Sequence, residues 1–117
     1  MRAAIERTPR FLERVFTQTE RDYCDSRGAN SFTHYAARFA AKEAAMKALG
    51  TGWSEGIAWH DAEITRTERG APILKLHGRA HEIFLELGAT RAHLSLSHTS
   101  EHAIAQVILE ATDAQHT

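Results

Sequence analysis

The stretch SFTHYAARFAAKEAAMKALGTG, residues 31–52, decides how the chain is read. Alanine, the best helix former, recurs throughout it, which predicts a helix from about Ser31 to Leu49. Asn30 stands where a cap is expected, and Gly50-Thr51-Gly52 supplies the stop. On a helical wheel Phe32, Tyr35, Ala36, Phe39 and Met46 make one apolar stripe, and Glu43 falls inside it. An ionised carboxylate on a buried face must be paired, hydrogen-bonded or bound to a cation. Lys42 and Lys47 flank the stripe on opposite edges, and Arg38 lies one turn before Lys42. A carboxylate between cations suits phosphate chemistry, in which Glu43 holds a magnesium ion on diphosphate oxygens and the basic groups neutralise the rest. The same spacing also fits a simple Glu43–Lys47 pair across one turn and lysines on a solvated rim.

Working outward, Thr8-Pro9 starts an N-terminal helix with the apolar face Phe11, Leu12, Val15 and Phe16. Thr17 and Glu20 have capping-box spacing and predict a second short helix through Tyr23 and Cys24 toward Ser26-Arg27-Gly28. After the glycine pair the pattern turns to strands. Ile57 to Thr67 and Ala71 to His77 read as a hairpin about Glu68-Arg69-Gly70, with Pro72 at a strand start or edge. Ala80, Ile83, Phe84 and Leu87 before Gly88 mark a short amphipathic helix. Arg91–Ser97 alternates, and Ala103–Leu109 is apolar enough for a central strand. The expectation is an α+β domain over residues 1–110, N-terminal helices packed on one antiparallel sheet, with a polar, disordered tail at 111–117.

Bulk properties bound the function. The 117 residues, 43% hydrophobic, allow one modest core. Fourteen basic and 15 acidic side chains nearly cancel, so no global signature of nucleic-acid or membrane binding exists. Cys24 is the only cysteine, which excludes an internal disulfide and fits a reducing compartment. No apolar run reaches bilayer length and no signal-peptide stretch opens the chain, so a cytoplasmic protein is expected. The histidine pairs His77/His81 and His98/His102 invite a zinc reading, but the predicted helix–strand breaks spoil both as rigid ligand sets.

Residues 37–52, ARFAAKEAAMKALGTG, resemble the signature segment of the holo-acyl-carrier-protein synthases, and the match continues through Gly56–Ile64, Gly70-Ala71-Pro72 and Ser95–Thr99. The resemblance implies the 4′-phosphopantetheinyl transferase fold. It also implies a reaction in which a carrier-protein serine attacks the β-phosphate of coenzyme A and expels 3′,5′-ADP. Glu43 matches a magnesium ligand and is the candidate proton acceptor. Lys47 matches the lysine beside the reacting phosphate, and His98 a site-lining histidine and alternative base. Arg38, Lys42, Gly50, Thr51, Gly52 and Thr99 match coenzyme-binding positions. The arginines Arg2, Arg7, Arg10 and Arg14 match the region that docks the acidic acyl carrier protein. A homotrimer with coenzyme sites between subunits is implied as well.

Members of that family begin with a strand of the type Gly-Ile-Gly-Xaa-Asp-Ile-Val-Glu-Ile, whose aspartate is a second magnesium ligand. The chain begins instead at Met1-Arg2-Ala3-Ala4-Ile5, the equivalent of the sequence just after it. The expectation is a late-assigned start, a truncation or a version without activity. Different-class alternatives are a noncatalytic oligomeric module that binds coenzyme A or carrier protein, and a generic metal-dependent phosphohydrolase.

Overall fold

The computed structural model describes residues 9–99 and 102–111. In chain order these form helix α1 (Pro9–Val15), helix α2 (Gln18–Asp25), a 3-10 turn (Gly28–Asn30), the long helix α3 (Ser31–Leu49) and a second 3-10 turn (Trp59–Asp61). The hairpin β1 (Ala62–Arg66) and β2 (Pro72–Leu76), helix α4 (Gly78–Glu86) and the hairpin β3 (Ala89–His98) and β4 (Ala103–Ala111) complete them. The architecture is α+β, helices first.

The local signals act as their chemistry dictates. In the α2 capping box the Thr17 hydroxyl accepts from Glu20 N at 3.2 Å, while Thr17 N donates to Glu20 Oε1 at 2.8 Å. The last turn of α3 closes on Gly50, whose φ of 81° is the left-handed conformation that glycine adopts without penalty. Asn30, by contrast, makes no side-chain cap: its φ/ψ of −96°/6° belongs to the 3-10 turn that leads directly into α3.

Two strand expectations need correction. Residues 57–61 are not strand, because Asp61 Oδ2 accepts from Ala58 N at 3.2 Å and folds that segment into the second 3-10 turn. The strands form two antiparallel two-stranded sheets rather than one, and among the described residues β4 pairs with β3 alone, so it is not central. Its alternation survives: Val107 and Leu109 pack on the core of Ala45, Met46, Leu49, Ala62, Ala80 and Ile83, while Ile104 and Ile108 stay exposed. A second cluster, Val15, Phe16, Cys24 and Tyr35, joins the N-terminal helices to α3. Burial pushes the Cys24 thiol up to about 12, so it is a packing group.

The main correction concerns the roll of α3. The buried line runs through Tyr35, Ala37, Arg38, Ala41, Lys42, Ala45, Met46 and Leu49, while Glu43 is exposed. Small alanines let neighbouring segments approach closely, and Lys42 enters the core because it meets an opposite charge there. Lys42 Nζ lies 2.9 Å from Glu20 Oε1, and both side chains are 0% exposed. The ammonium also donates to the carbonyls of Trp59 and Ala62, and Glu20 Oε2 accepts from Ile64 N at 2.7 Å. Burial lowers the Lys42 pKa, and Glu20 opposes that shift. Removing one partner of such a pair strands the other in low dielectric. Lys42→Ala is therefore expected to cost about 3–5 kcal/mol of unfolding free energy in urea denaturation at neutral pH, and a loss below about 1 kcal/mol would mean that Glu20 does not depend on it.

Candidate active site

With Lys42 turned inward, Glu43, the next residue, and Lys47, one turn after Glu43, face outward. Glu43 and Lys47 are exposed on the same side of α3. They line a cleft of about 320 Å³ with Ala40, Ala44 and, from β4, Ala103, Ile104 and Ala105. The alanines create that space. A Glu–Lys pair at this spacing gains only about 0.2–0.5 kcal/mol on a helix surface. Here the two groups form neither a hydrogen bond nor an ion pair with each other or with any described residue. The simple pairing allowed by the sequence is not adopted, and both charges remain available to a ligand.

That donor set suits a hard cation held jointly with a substrate. No cluster of three or more His, Cys, Asp or Glu that could hold a metal ion is present among the described residues, so these residues build no closed cage. Glu43 offers one unpartnered carboxylate. Magnesium keeps several waters and commonly takes one or two carboxylates plus phosphate oxygens, a pattern these residues fit.

His98 stands at the neighbouring end of the hairpin, paired in register with Ala103 of the Glu43 cleft. It is exposed, with its ring centroid 5.6 Å from that of His34 on α3. Asn30, Thr33, His34, His98 and Thr99 line a second cleft of about 320 Å³. Thr99 holds the hairpin connection, its N–H donating to His102 O at 2.8 Å. A third cleft of about 180 Å³ shares His34 and His98 and adds Tyr23, Arg38, Arg66, Gly70 and Pro72.

Arg38 is 5% exposed and donates to His34 O at 3.3 Å. Its guanidinium lies 4.6 Å from the Tyr23 ring centroid, with Arg66 at 3.5 Å and Arg27 at 5.1 Å from the same ring. The π face draws each cation in, yet three guanidiniums about one ring repel one another until an anion joins them. Burial first, then Arg38, lowers the His34 pKa, which favours the neutral ring beside these cations. A further cavity of about 420 Å³ that Tyr23, Arg38 and Arg66 also line is bordered by Thr65, whose buried hydroxyl has no hydrogen-bond partner among the described residues. Sequence reading missed Tyr23, His34, Arg27 and Arg66 as a group, because no periodicity joins side chains from α2, α3 and the end of β1.

The remaining expected residues separate. Lys42 is enclosed by Glu20, Trp59 and Ala62, so the coenzyme role implied for it gives way to a structural one. Gly50, Thr51 and Gly52 sit at the opposite end of α3 from His34, about 24 Å along the axis at 1.5 Å per residue. Arg10 and Arg14 are exposed on α1, whereas Arg2 and Arg7 lie outside the described residues.

Comparison with known proteins decides the family. The profile of the 4′-phosphopantetheinyl transferase superfamily matches residues 1–107. The chain belongs to this superfamily. It is 54% identical to the holo-[acyl-carrier-protein] synthase of Koribacter versatilis over 101 residues, which cover 86% of this chain and 80% of that protein. Against the synthase of Geobacter metallireducens the identity is 46%, with 90% and 82% covered. The structure of the Helicobacter pylori synthase in complex with coenzyme A superposes with a TM-score of 0.77 at 28% identity, covering 93% of this chain and 89% of that one. The Bacillus anthracis synthase in complex with coenzyme A (3′,5′-ADP) gives 0.75 at 35%, covering 95% and 89%. The helices-then-strands order is thus the superfamily's fold.

If the arginines about Tyr23 bind anions, Arg66→Ala in this superfamily member weakens binding of 3′,5′-ADP roughly tenfold, the size of one lost charge-assisted contact. Isothermal titration measures this, and unchanged affinity would remove Arg66 from the site.

Proposed function

We propose that the chain transfers 4′-phosphopantetheine from coenzyme A to a serine of apo-acyl carrier protein, releasing 3′,5′-ADP, as a step in fatty acid biosynthesis. The observation that carries the reading is the unpaired Glu43–Lys47 couple facing a cleft on α3, in a chain about half identical to holo-[acyl-carrier-protein] synthases over most of its length. In the reaction the serine oxygen forms a bond to the β-phosphorus, the bond from that phosphorus to the 3′,5′-ADP oxygen breaks, and the serine proton must leave. Lys47 offsets the charge that grows on the phosphate oxygens. Glu43 holds magnesium, which when bound supplies further positive charge to the diphosphate. Glu43 is also our candidate for the serine proton, and His98, exposed at the hairpin end, is the alternative acceptor. Arg38 and the arginines around Tyr23 take the anionic end of coenzyme A, with Thr99 lining the adjoining cleft.

An acidic carrier calls for a local basic surface. Arg7, Arg10 and Arg14 are our docking residues, and the exposure of Arg10 and Arg14 four residues apart on α1 supports that reading. A homotrimer with coenzyme between subunits accounts for two observations. The Gly50-Thr51-Gly52 turn lies too far from His98 to share its phosphates within one chain, and Ile104 and Ile108 are 67% and 54% exposed on the outer face of β4. Among the described residues no helix is long and apolar enough to cross a membrane, and a buried, unpaired cysteine fits our placement of the reaction in the cytoplasm.

Intact-mass analysis of apo-carrier incubated with the chain, coenzyme A and magnesium tests the function. The carrier is expected to gain one phosphopantetheine group. Coenzyme consumption without that gain would point to a phosphohydrolase, and binding without either would point to a noncatalytic module. Glu43→Gln, which removes charge at constant size, is expected to lower transfer roughly hundredfold or more while moving the melting temperature by no more than a few degrees. Near-normal turnover would take Glu43 out of the mechanism.

A further inference from the structure

We infer that His60 is a positioning residue for carrier docking: from the second 3-10 turn it ties down the C-terminal end of α1, the helix that presents Arg10 and Arg14. The inference rests on the docking reading proposed above.

A helix of seven residues does not hold together by itself, so the surroundings of α1 must fix it. Val15 and Phe16 anchor its end in the core, and Phe11 lies 6.1 Å from Phe39 of α3 between ring centroids. The last four carbonyls of any helix lack intrahelical donors. One of those in α1 is Glu13 O, and His60 Nε2 donates to it at 2.7 Å across 47 residues of sequence.

His60 can serve as a tether because its turn is fixed on several sides. Asp61 N donates to Ala58 O at 2.9 Å, and Asp61 O accepts from His77 N at 2.8 Å. The neighbouring Trp59 ring lies 3.7 Å from Trp53 and 5.2 Å from Phe39, and Trp59 O accepts from Lys42 Nζ at 3.3 Å. The buried lysine that sets α3 thereby also sets the turn that caps α1. The docking arginines and the Glu43–Lys47 couple are held in one frame, although they lie on different helices. His60 is exposed and touches neither cleft that holds Glu43 or His98, so its removal does not disturb the chemistry directly.

The test is steady-state transfer with carrier and coenzyme A varied in turn, for the parent chain, His60→Ala, His60→Gln and the double reversal Arg10→Glu/Arg14→Glu. His60→Ala is expected to raise the carrier KM roughly three- to tenfold, the size of losing one tether, with kcat and the coenzyme KM within about twofold. His60→Gln, whose amide also donates, restores most of the loss, and amide exchange over residues 12–16 quickens in the alanine variant only. An unchanged carrier KM in His60→Ala, or an equal rise for carrier and coenzyme A, overturns the inference. If the double reversal raises the carrier KM and His60→Ala does not, the inference alone fails. If the double reversal changes nothing, the docking reading falls and takes the inference with it.

Discussion

Lys42 and Glu20 form a fully buried ion pair 2.9 Å apart, and the orientation of α3 follows from it. Two charges leave water at a cost of several kcal/mol each, and the cost is offset only when every remaining donor and acceptor is used. Here they are used: the ammonium reaches two further carbonyls, and the carboxylate takes the amides of Thr17 and Ile64. One pair therefore joins the start of α2, the middle of α3, the second 3-10 turn and the first strand. A roll of α3 by one position would expose these groups' unsatisfied partners to an apolar core, so the roll is strongly specified.

Adjacent residues of a helix point about 100° apart, and that angle divides the roles of Lys42 and Glu43. Once Lys42 faces Glu20, Glu43 and Lys47 are turned away from the core, where alanines leave a cleft and no described residue pairs with either charge. The same roll sends Arg38 toward Tyr23 and the arginines of neighbouring elements. Carboxylate, ammonium and guanidinium are thus laid along one helix by its sequence and aimed by a single buried contact.

Much of this was legible because it is local. The capping box at Thr17 and Glu20, the proline opening α1, the glycine closing α3 and the alternation of β4 are short-range devices, and each appears where the residues put it. The misreadings share a cause. A helical wheel ranks faces by side-chain size, so Phe32 and Phe39 drew the buried stripe toward themselves, whereas alanine lines and a charge partner 22 residues away settled it. Residues 57–61 looked extended until Asp61 turned back on Ala58. The convergence of Arg27, Arg38 and Arg66 on Tyr23 has no sequence period at all. The resemblance to the superfamily, by contrast, singles out Glu43, Lys47 and His98 as candidates without geometry; the first two line one cleft, and the third stands at the adjoining hairpin end.

In our reading Lys42 aims Glu43 and Lys47 without touching coenzyme A. The most direct measurement is the single-turnover transfer rate of the double variant Lys42→Met/Glu20→Gln, which removes both buried charges together and keeps an acceptor for Ile64 N. If Lys42 is structural, the folded double variant transfers phosphopantetheine within about threefold of the parent rate, because replacing a buried pair jointly is far milder than breaking it. A double variant with a native circular dichroism spectrum whose transfer is as impaired as that of Lys47→Ala would contradict the claim and return Lys42 to the coenzyme site.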